Sequence, residues 1–264
     1  MQATDLDLLV DAARRSGEIA AGYFGQGPTV WDKPDDAGPV TEADLAVNVM
    51  LKETLGRARK DYGWLSEETE DDTTRLTQDT IFVVDPIDGT RAFISGIPVW
   101  GTLIGLYYLN RPLAGMMCQP FTGERYWSVS DEEHSDTAMR IHQGPKVELQ
   151  TRKHDTLSLC TLMTTSPSIF PELERPRFDR LETCVQLSRY GCDCYAYCLL
   201  AAGHVDVVVE SGLSIYDIAA LIPIVEGAGG SVTNWQGKDA SQGGQILAAA
   251  NNTIRDQAID ILNA

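Results

Sequence analysis

The feature that most limits the fold is a short apolar run that ends in acid. Ile81-Phe82-Val83-Val84 is continuous rather than alternating, the pattern of a strand covered on both faces. Such a strand belongs inside a layered protein. It delivers Asp85-Pro86-Ile87-Asp88-Gly89-Thr90 at its end, two carboxylates followed at once by a Gly-Thr pair. Pro86 stiffens the turn and offers no N–H of its own, so the carboxylates are not simply absorbed by backbone donors. A helix starting at Asp88 would leave the N–H groups of Gly89, Thr90 and Arg91 converging on one spot, which suits an anion such as a phosphate. The competing reading is that Asp88 only caps that helix and Asp85 only shapes the turn.

The rest of the chain supplies layers for this strand. Leu6, Leu9, Val10, Ala13, Ala20 and Phe24 follow a helical stripe, and Gly25–Pro39 reads as a loop. Thr41 is placed to cap a second helix through about residue 58. Thr102–Tyr108, Leu113–Cys118 and Glu124–Val129 read as an antiparallel meander, separated by Asn110-Arg111-Pro112 and Pro120-Phe121-Thr122-Gly123. Residues 130–146 are polar and expected at the periphery. Farther on, helices are expected at 193–202 and 217–228, strands at 205–210, 231–234 and 246–250, and a helix at the close. The 264 residues show no repeat or linker, so one α/β domain of two packed lobes is expected, about 1–146 and 147–264.

Acidic side chains outnumber basic ones by 38 to 21, a net charge of −17. That balance argues against nucleic acid and anionic membranes as partners. No run of eighteen apolar residues occurs, and the N-terminal segment carries early acids unlike a signal peptide, so a cytoplasmic location is expected. Cysteines 118, 160, 184, 192, 194 and 198 are then expected as free thiols. Cys192, Cys194 and Cys198 lack C-x-x-C spacing, which favours buried thiols on a helix over zinc. The acidity does suit a site for divalent cations. Glu67-Glu68 and Asp217 put further carboxylates at element ends, where they repel one another unless a cation joins them. Oxygen ligands select Mg²⁺ or Mn²⁺ over zinc.

Taken together, these segments resemble the inositol monophosphatase family of Mg²⁺-dependent, lithium-sensitive phosphatases. The carrying residues are Asp85–Thr90, Tyr216-Asp217-Ile218-Ala219-Ala220 leading to Glu226-Gly227-Ala228-Gly229-Gly230, Ser66-Glu67-Glu68, and Val40-Thr41-Glu42-Ala43-Asp44. The resemblance implies a layered αβαβα sandwich, a phosphomonoesterase acting on small phosphate monoesters, two or three Mg²⁺ per site, and a homodimer. Carried over by position, Glu67, Asp85 and the Ile87 carbonyl would hold one metal, and Asp85, Asp88 and Asp217 another. Thr90 and Asp44 would orient and activate the attacking water, with Glu67 also in the catalytic set. Gly89 and Thr90 N–H groups would hold the phosphate. Tyr216 stands where the family usually has Trp, and Ser66 where it usually has Gly; neither removes a ligand.

Within the family the chain most resembles the histidinol-phosphatases. That likeness rests on Gly191–Tyr197, Ala202–Glu210 and Pro98–Leu103. Asp193, Glu210 and Arg91 become candidate substrate contacts, the two acids facing an ammonium and an imidazole. Asp193 is equally a helix N-cap in waiting. Trp100, Tyr195 and Tyr197 could stack on a ring, but Tyr195 and Tyr197 cannot both face one site from a helix. Lys33 is either a loop residue near the metals or a surface lysine, and His204 has no catalytic role. The rival activity is an inositol-1-phosphatase or broad sugar phosphatase. A rival of another class is a non-catalytic metal-binding regulator.

Overall fold

The computed structural model describes residues 3–34, 38–130, 137–142 and 144–264. The first half contains α1 (Ala3–Tyr23), β1 (Val30–Asp32), β2 (Pro39–Thr41), α2 (Glu42–Ala58), β3 (Gly63–Ser66), β4 (Thr80–Asp88), α3 (Thr90–Ile94), β5 (Gly101–Tyr108), β6 (Arg111–Gln119), β7 (Glu124–Val129), β8 (Met139–His142) and β9 (Val147–Glu148). The second contains β10 (Thr161–Thr164), α4 (Arg175–Glu182), β11 (Leu187–Tyr190), α5 (Asp193–Ala201), β12 (Val207–Leu213), α6 (Ile215–Ile218), α7 (Leu221–Gly227), β13 (Ser231–Thr233), β14 (Gly244–Ala249) and α8 (Asn252–Leu262).

Two sheets organise these elements, with strand orders β3-β4-β5-β6-β7-β8-β9 and β11-β10-β12-β14-β13. The first is antiparallel except where β3 runs parallel to β4. In the second, β10 runs parallel to β11 and β12, while β14 is antiparallel to β12 and β13.

Side-chain alternation along the strands builds the layers. Phe82 and Val84 of β4 pack under α1 and α2 with Leu9, Val47 and Leu51, while Ile81 and Val83 pack on the other face against Ala219. Both faces of β4 are therefore covered, which is why its run is unbroken. Leu103 and Met117 face α5 and α7, and those helices meet Val208 and Ala248 of the second sheet on their far side. Val207, Val209, Leu247 and Ala249 point away from them onto Phe178 of α4 and Ile254 of α8. The result is a helix–sheet–helix–sheet–helix stack, the layered α/β architecture expected from the resemblance.

Several local expectations change. Thr41 does cap α2, within a capping box shared with Asp44. The loop at 25–39 carries the short β1–β2 ladder. In the polar stretch 130–146, residues 131–136 and 143 lie outside the described residues, but β8 joins the sheet through β7. The single helix expected at 217–228 is two, α6 and α7. Pro223 has no N–H for the Ala219 carbonyl, which interrupts the helical ladder there. The interruption lies against Gly105 and Gly115. A Cβ on Gly115 would stand 1.9 Å from the Ala220 carbonyl oxygen, and one on Gly105 would stand 2.7 Å from Ala219 Cβ.

Only glycine permits this approach of the middle helical layer to the first sheet. Gly115→Ala is therefore expected to destabilise by more than the ~1–3 kcal/mol of ordinary overpacking, because the obstacle is backbone. Urea unfolding of the variant measures it, and a midpoint equal to wild type would refute the packing account.

Candidate active site

Asp85 lies within β4, which runs on through the hexapeptide to Asp88, and an irregularity in the β4–β5 ladder follows at once. Asp85 pairs with Leu103 and Asp88 with Gly101, so β4 carries one more residue than its partner over that interval. Thr102 fixes the bulged segment by donating to the Pro86 carbonyl at 2.8 Å. Asp217 arrives separately, on α6, where Ser214 N–H donates to its Oδ2 at 2.6 Å. Oxygens of Asp85, Asp88 and Asp217 come within 4.8 Å of one another.

Each carboxylate is anchored through one oxygen. The Ile87 N–H reaches Asp85 Oδ1 at 3.1 Å, and the Cys194 N–H reaches Asp88 Oδ2 at 2.7 Å. Backbone donors thus do engage this hexapeptide, contrary to the expectation from Pro86, but each takes one oxygen and leaves the other. A divalent cation with a preference for oxygen fits this donor set. The electrostatics agree. Burial, then the charges of Glu67, Asp88 and Asp217, hold the Asp85 carboxyl well above its ordinary range. Burial and then Asp193 push Asp88 up to about 7, and burial and then Asp88 raise Asp217 strongly.

Glu67 stands beside this group with its Oε1 turned 2.7 Å from Lys33 Nζ, which also lies 2.7 Å from Glu68 Oε1. Burial works against the Lys33 charge, but its bonds to the two glutamates keep it raised. Lys33 is therefore no free surface lysine. Ser66 donates to Asn48 Oδ1 at 2.8 Å, so the residue that replaces the usual glycine ties this turn to α2. Asp44, fully buried on the first turn of α2, lies 3.4 Å from the Thr90 hydroxyl, which also donates to the Ile87 carbonyl at 3.0 Å.

Asp88 is not the cap of the helix that follows. Gly89, in the left-handed region at φ 81°, occupies that position, and α3 begins at Thr90. Asp193 is no cap either. Cys192 precedes α5 as its N-cap residue, and Asp193, itself at φ 44°, lies over Gly89, where an added Cβ would stand 3.1 Å from its Oδ2. Glu210, nearly inaccessible where the β12–β14 ladder becomes irregular, accepts the Thr165 N–H at 2.6 Å. Burial raises Asp193 and pushes Glu210 up to about 8.

These groups share one cavity of about 280 Å³, lined by Glu67, Asp85, Ile87, Asp88, Gly89, Thr90, Arg91, Asp193, Glu210 and Asp217. Its wall includes Thr165 and Cys194, which the sequence did not single out as site residues, and Tyr197, one of the stacking candidates. Thr165 follows β10 with no motif around it, and Cys194 acts through its backbone, so neither left a signal. Of the two tyrosines, Tyr195 donates to Glu124 Oε2 at 2.5 Å, outside the cavity, and Tyr197 lines it. Trp100 is fully buried against Phe24 and Phe93 and does not line it.

Known proteins share this arrangement of chain. A family model described as inositol monophosphatase family matches residues 1–263. The histidinol-phosphatase of Mycobacterium tuberculosis is 34% identical, with all of both chains covered. The bifunctional phosphatase IMPL2 of Arabidopsis thaliana is 38% identical over 95% of this chain and 72% of that protein. Among solved structures, an inositol monophosphatase from Zymomonas mobilis superposes with a TM-score of 0.83 at 33% identity, covering both chains fully. The suhB protein of Bartonella henselae gives a TM-score of 0.85 at 26% identity, covering 98% of each chain.

The raised carboxyls set a pH dependence. In the cation-free fold, Asp88 and Glu210 hold protons that the unfolded chain releases near pH 4. Their stabilisation is complete below that value and is lost as pH rises through about 7–8. With chelator, Tm should therefore fall between about pH 5.5 and 8.5, and Mg²⁺ should raise it most at the upper end. Calorimetry with and without Mg²⁺ measures both trends. An equal Mg²⁺ effect at the two limits would contradict the electrostatic account.

Proposed function

The chain belongs to the inositol monophosphatase family and is a phosphoric monoester hydrolase; from that premise we propose that it hydrolyses L-histidinol phosphate to L-histidinol and phosphate, as a step of histidine biosynthesis. The observation that carries the substrate is the pair of acids on the cavity wall, Asp193 against Gly89 and Glu210 at the irregularity in its ladder. The phosphoryl group belongs at the Gly89 and Thr90 N–H groups at the start of α3. That leaves the organic half of the ester facing Asp193 and Glu210. An ammonium and an imidazolium gain charge-assisted hydrogen bonds there, which a neutral polyol cannot match. Arg91, on the same wall, is a further contact.

Glu67, Asp85 and the Ile87 carbonyl would hold one Mg²⁺, and Asp85, Asp88 and Asp217 a second; a third Mg²⁺, or Mn²⁺ in place of Mg²⁺, is compatible with the same oxygens. Bound there, the metal makes water a better nucleophile and neutralises charge on the phosphoryl and leaving oxygens. The residues do the rest. The Thr90 hydroxyl accepts a proton from the attacking water as it passes its own to Asp44, 3.4 Å away. The Gly89 and Thr90 N–H groups stabilise charge that grows on the phosphoryl oxygens. Water displaces the alcohol directly, so no phosphorylated side chain forms. A cytoplasmic homodimer is part of the same proposal; no described helix is long and apolar enough to cross a membrane.

An inositol monophosphatase among the solved relatives keeps inositol 1-phosphate as the second reading. Steady-state kinetics on both esters separate the two, with kcat/KM expected to favour L-histidinol phosphate; the reverse order would sink the proposal. Asp193→Asn is expected to lower kcat/KM for L-histidinol phosphate about 10- to 100-fold, the worth of one charged hydrogen bond. Turnover of p-nitrophenyl phosphate should persist, whereas equal loss on both esters would make Asp193 a structural residue only.

A further inference from the structure

Outside the active-site cavity, three ligand-type side chains meet at the edge of the second sheet. Cys160 immediately precedes β10, and Asp206 immediately precedes β12, its parallel neighbour, so both stand at the same end of adjacent strands. His154 reaches them from the segment leading into β10. One of its ring nitrogens, the Cys160 Sγ and an Asp206 oxygen lie within 4.8 Å of one another.

The two oxygens of Asp206 have different surroundings. Its Oδ2 accepts the Thr161 N–H at 2.8 Å and Arg152 Nη1 at 3.0 Å. Its Oδ1 is buried and lies 3.0 Å from His154 Nδ1, an ion pair when the imidazole is protonated, and neither atom has another hydrogen-bond partner among the described residues. Cys160 donates its S–H to the Thr156 carbonyl at 3.4 Å, a weak bond that a cation would replace. Asp88 and Asp217 have the same division, one oxygen anchored by a backbone N–H and the other presented.

The donor set differs from that of the active site. Thiolate, imidazole and carboxylate together select a borderline-soft, tetrahedral cation and disfavour Mg²⁺. With metal–ligand bonds of about 2.0–2.1 Å, the spacing of 3.0 Å between His154 Nδ1 and Asp206 Oδ1 subtends roughly 95° at a shared ion, so modest opening reaches tetrahedral geometry. A cavity of about 340 Å³ borders His154 from the solvent side, while Cys160 and Asp206 lie buried behind it.

We propose that His154, Cys160 and Asp206 form a zinc-class cation site, distinct from the phosphatase centre, that fastens the segment entering β10 to the start of β12. Binding breaks the Cys160 S–H bond, forms a metal–thiolate bond and releases the proton to solvent, with no change of oxidation state. Affinity should accordingly rise with pH.

The test uses the full chain, stripped with chelator, returned to saturating Mg²⁺ and titrated with Co²⁺. A thiolate-to-cobalt charge-transfer band should grow to one equivalent per chain and disappear on adding Zn²⁺. The oxygen ligands of the active site cannot produce that band. Cys160→Ser should abolish it, and Cys192→Ser should retain it. Since Cys160 is fully buried, His154→Ala at a partly exposed position gives a second route. It should weaken Zn²⁺ binding at least tenfold in chelator competition, the worth of about one lost ligand interaction, and leave phosphatase turnover unchanged. Absence of the band in the wild-type chain, its persistence in Cys160→Ser, or undiminished Zn²⁺ binding in His154→Ala would each overturn the proposal.

Discussion

Repulsion among buried carboxylates is the constraint around which this molecule is arranged. Asp85, Asp88 and Asp217 share a space in which none can be charged without raising the cost of charging the others, and Glu67 adds to it. Side chains left to themselves would turn away. The fold prevents this by tying one oxygen of each to a backbone N–H, from Ile87, Cys194 and Ser214. Those donors come from three parts of the chain, so the arrangement exists only when both sheets and the helices between them are in place. Folding without a cation therefore stores electrostatic strain, and a bound cation relieves it.

Lys33 fits the same logic. Its ammonium bridges Glu67 and Glu68, where it offsets part of the excess negative charge. A chain with a net charge of −17 has few cations to spend, and this one is placed where acids are densest.

Much of this was legible in the sequence, for identifiable reasons. The run at 81–84 is apolar on both faces because both faces of β4 are covered, and Thr41 caps α2 through purely local bonding. The meander of β5, β6 and β7 follows from turn residues at its corners. What escaped notice depends on contacts distant in sequence. β3 and β10 are only four residues each, too short for a periodic signal. Asp193 looked like a cap because it opens a helix, but its side chain lies over Gly89, about a hundred residues away. Which tyrosine of α5 faces the cavity was settled by Glu124, which takes Tyr195. The break between α6 and α7 was legible in principle, since Pro223 was in view.

The extra residue between Asp85 and Asp88 has a further consequence, one of parity. Along a regular pleat, residues separated by an odd number of positions point to opposite faces of the sheet. Asp85 and Asp88 are such a pair, and an unbroken β4 would send one acid to each side. The bulge against Leu103 and Gly101 restores the phase and brings both to one place. The site is thus written partly in chain length. Ironing out the bulge at the present chain length would send the two acids to opposite faces while leaving every carboxylate present, and a more regular strand would be a poorer one.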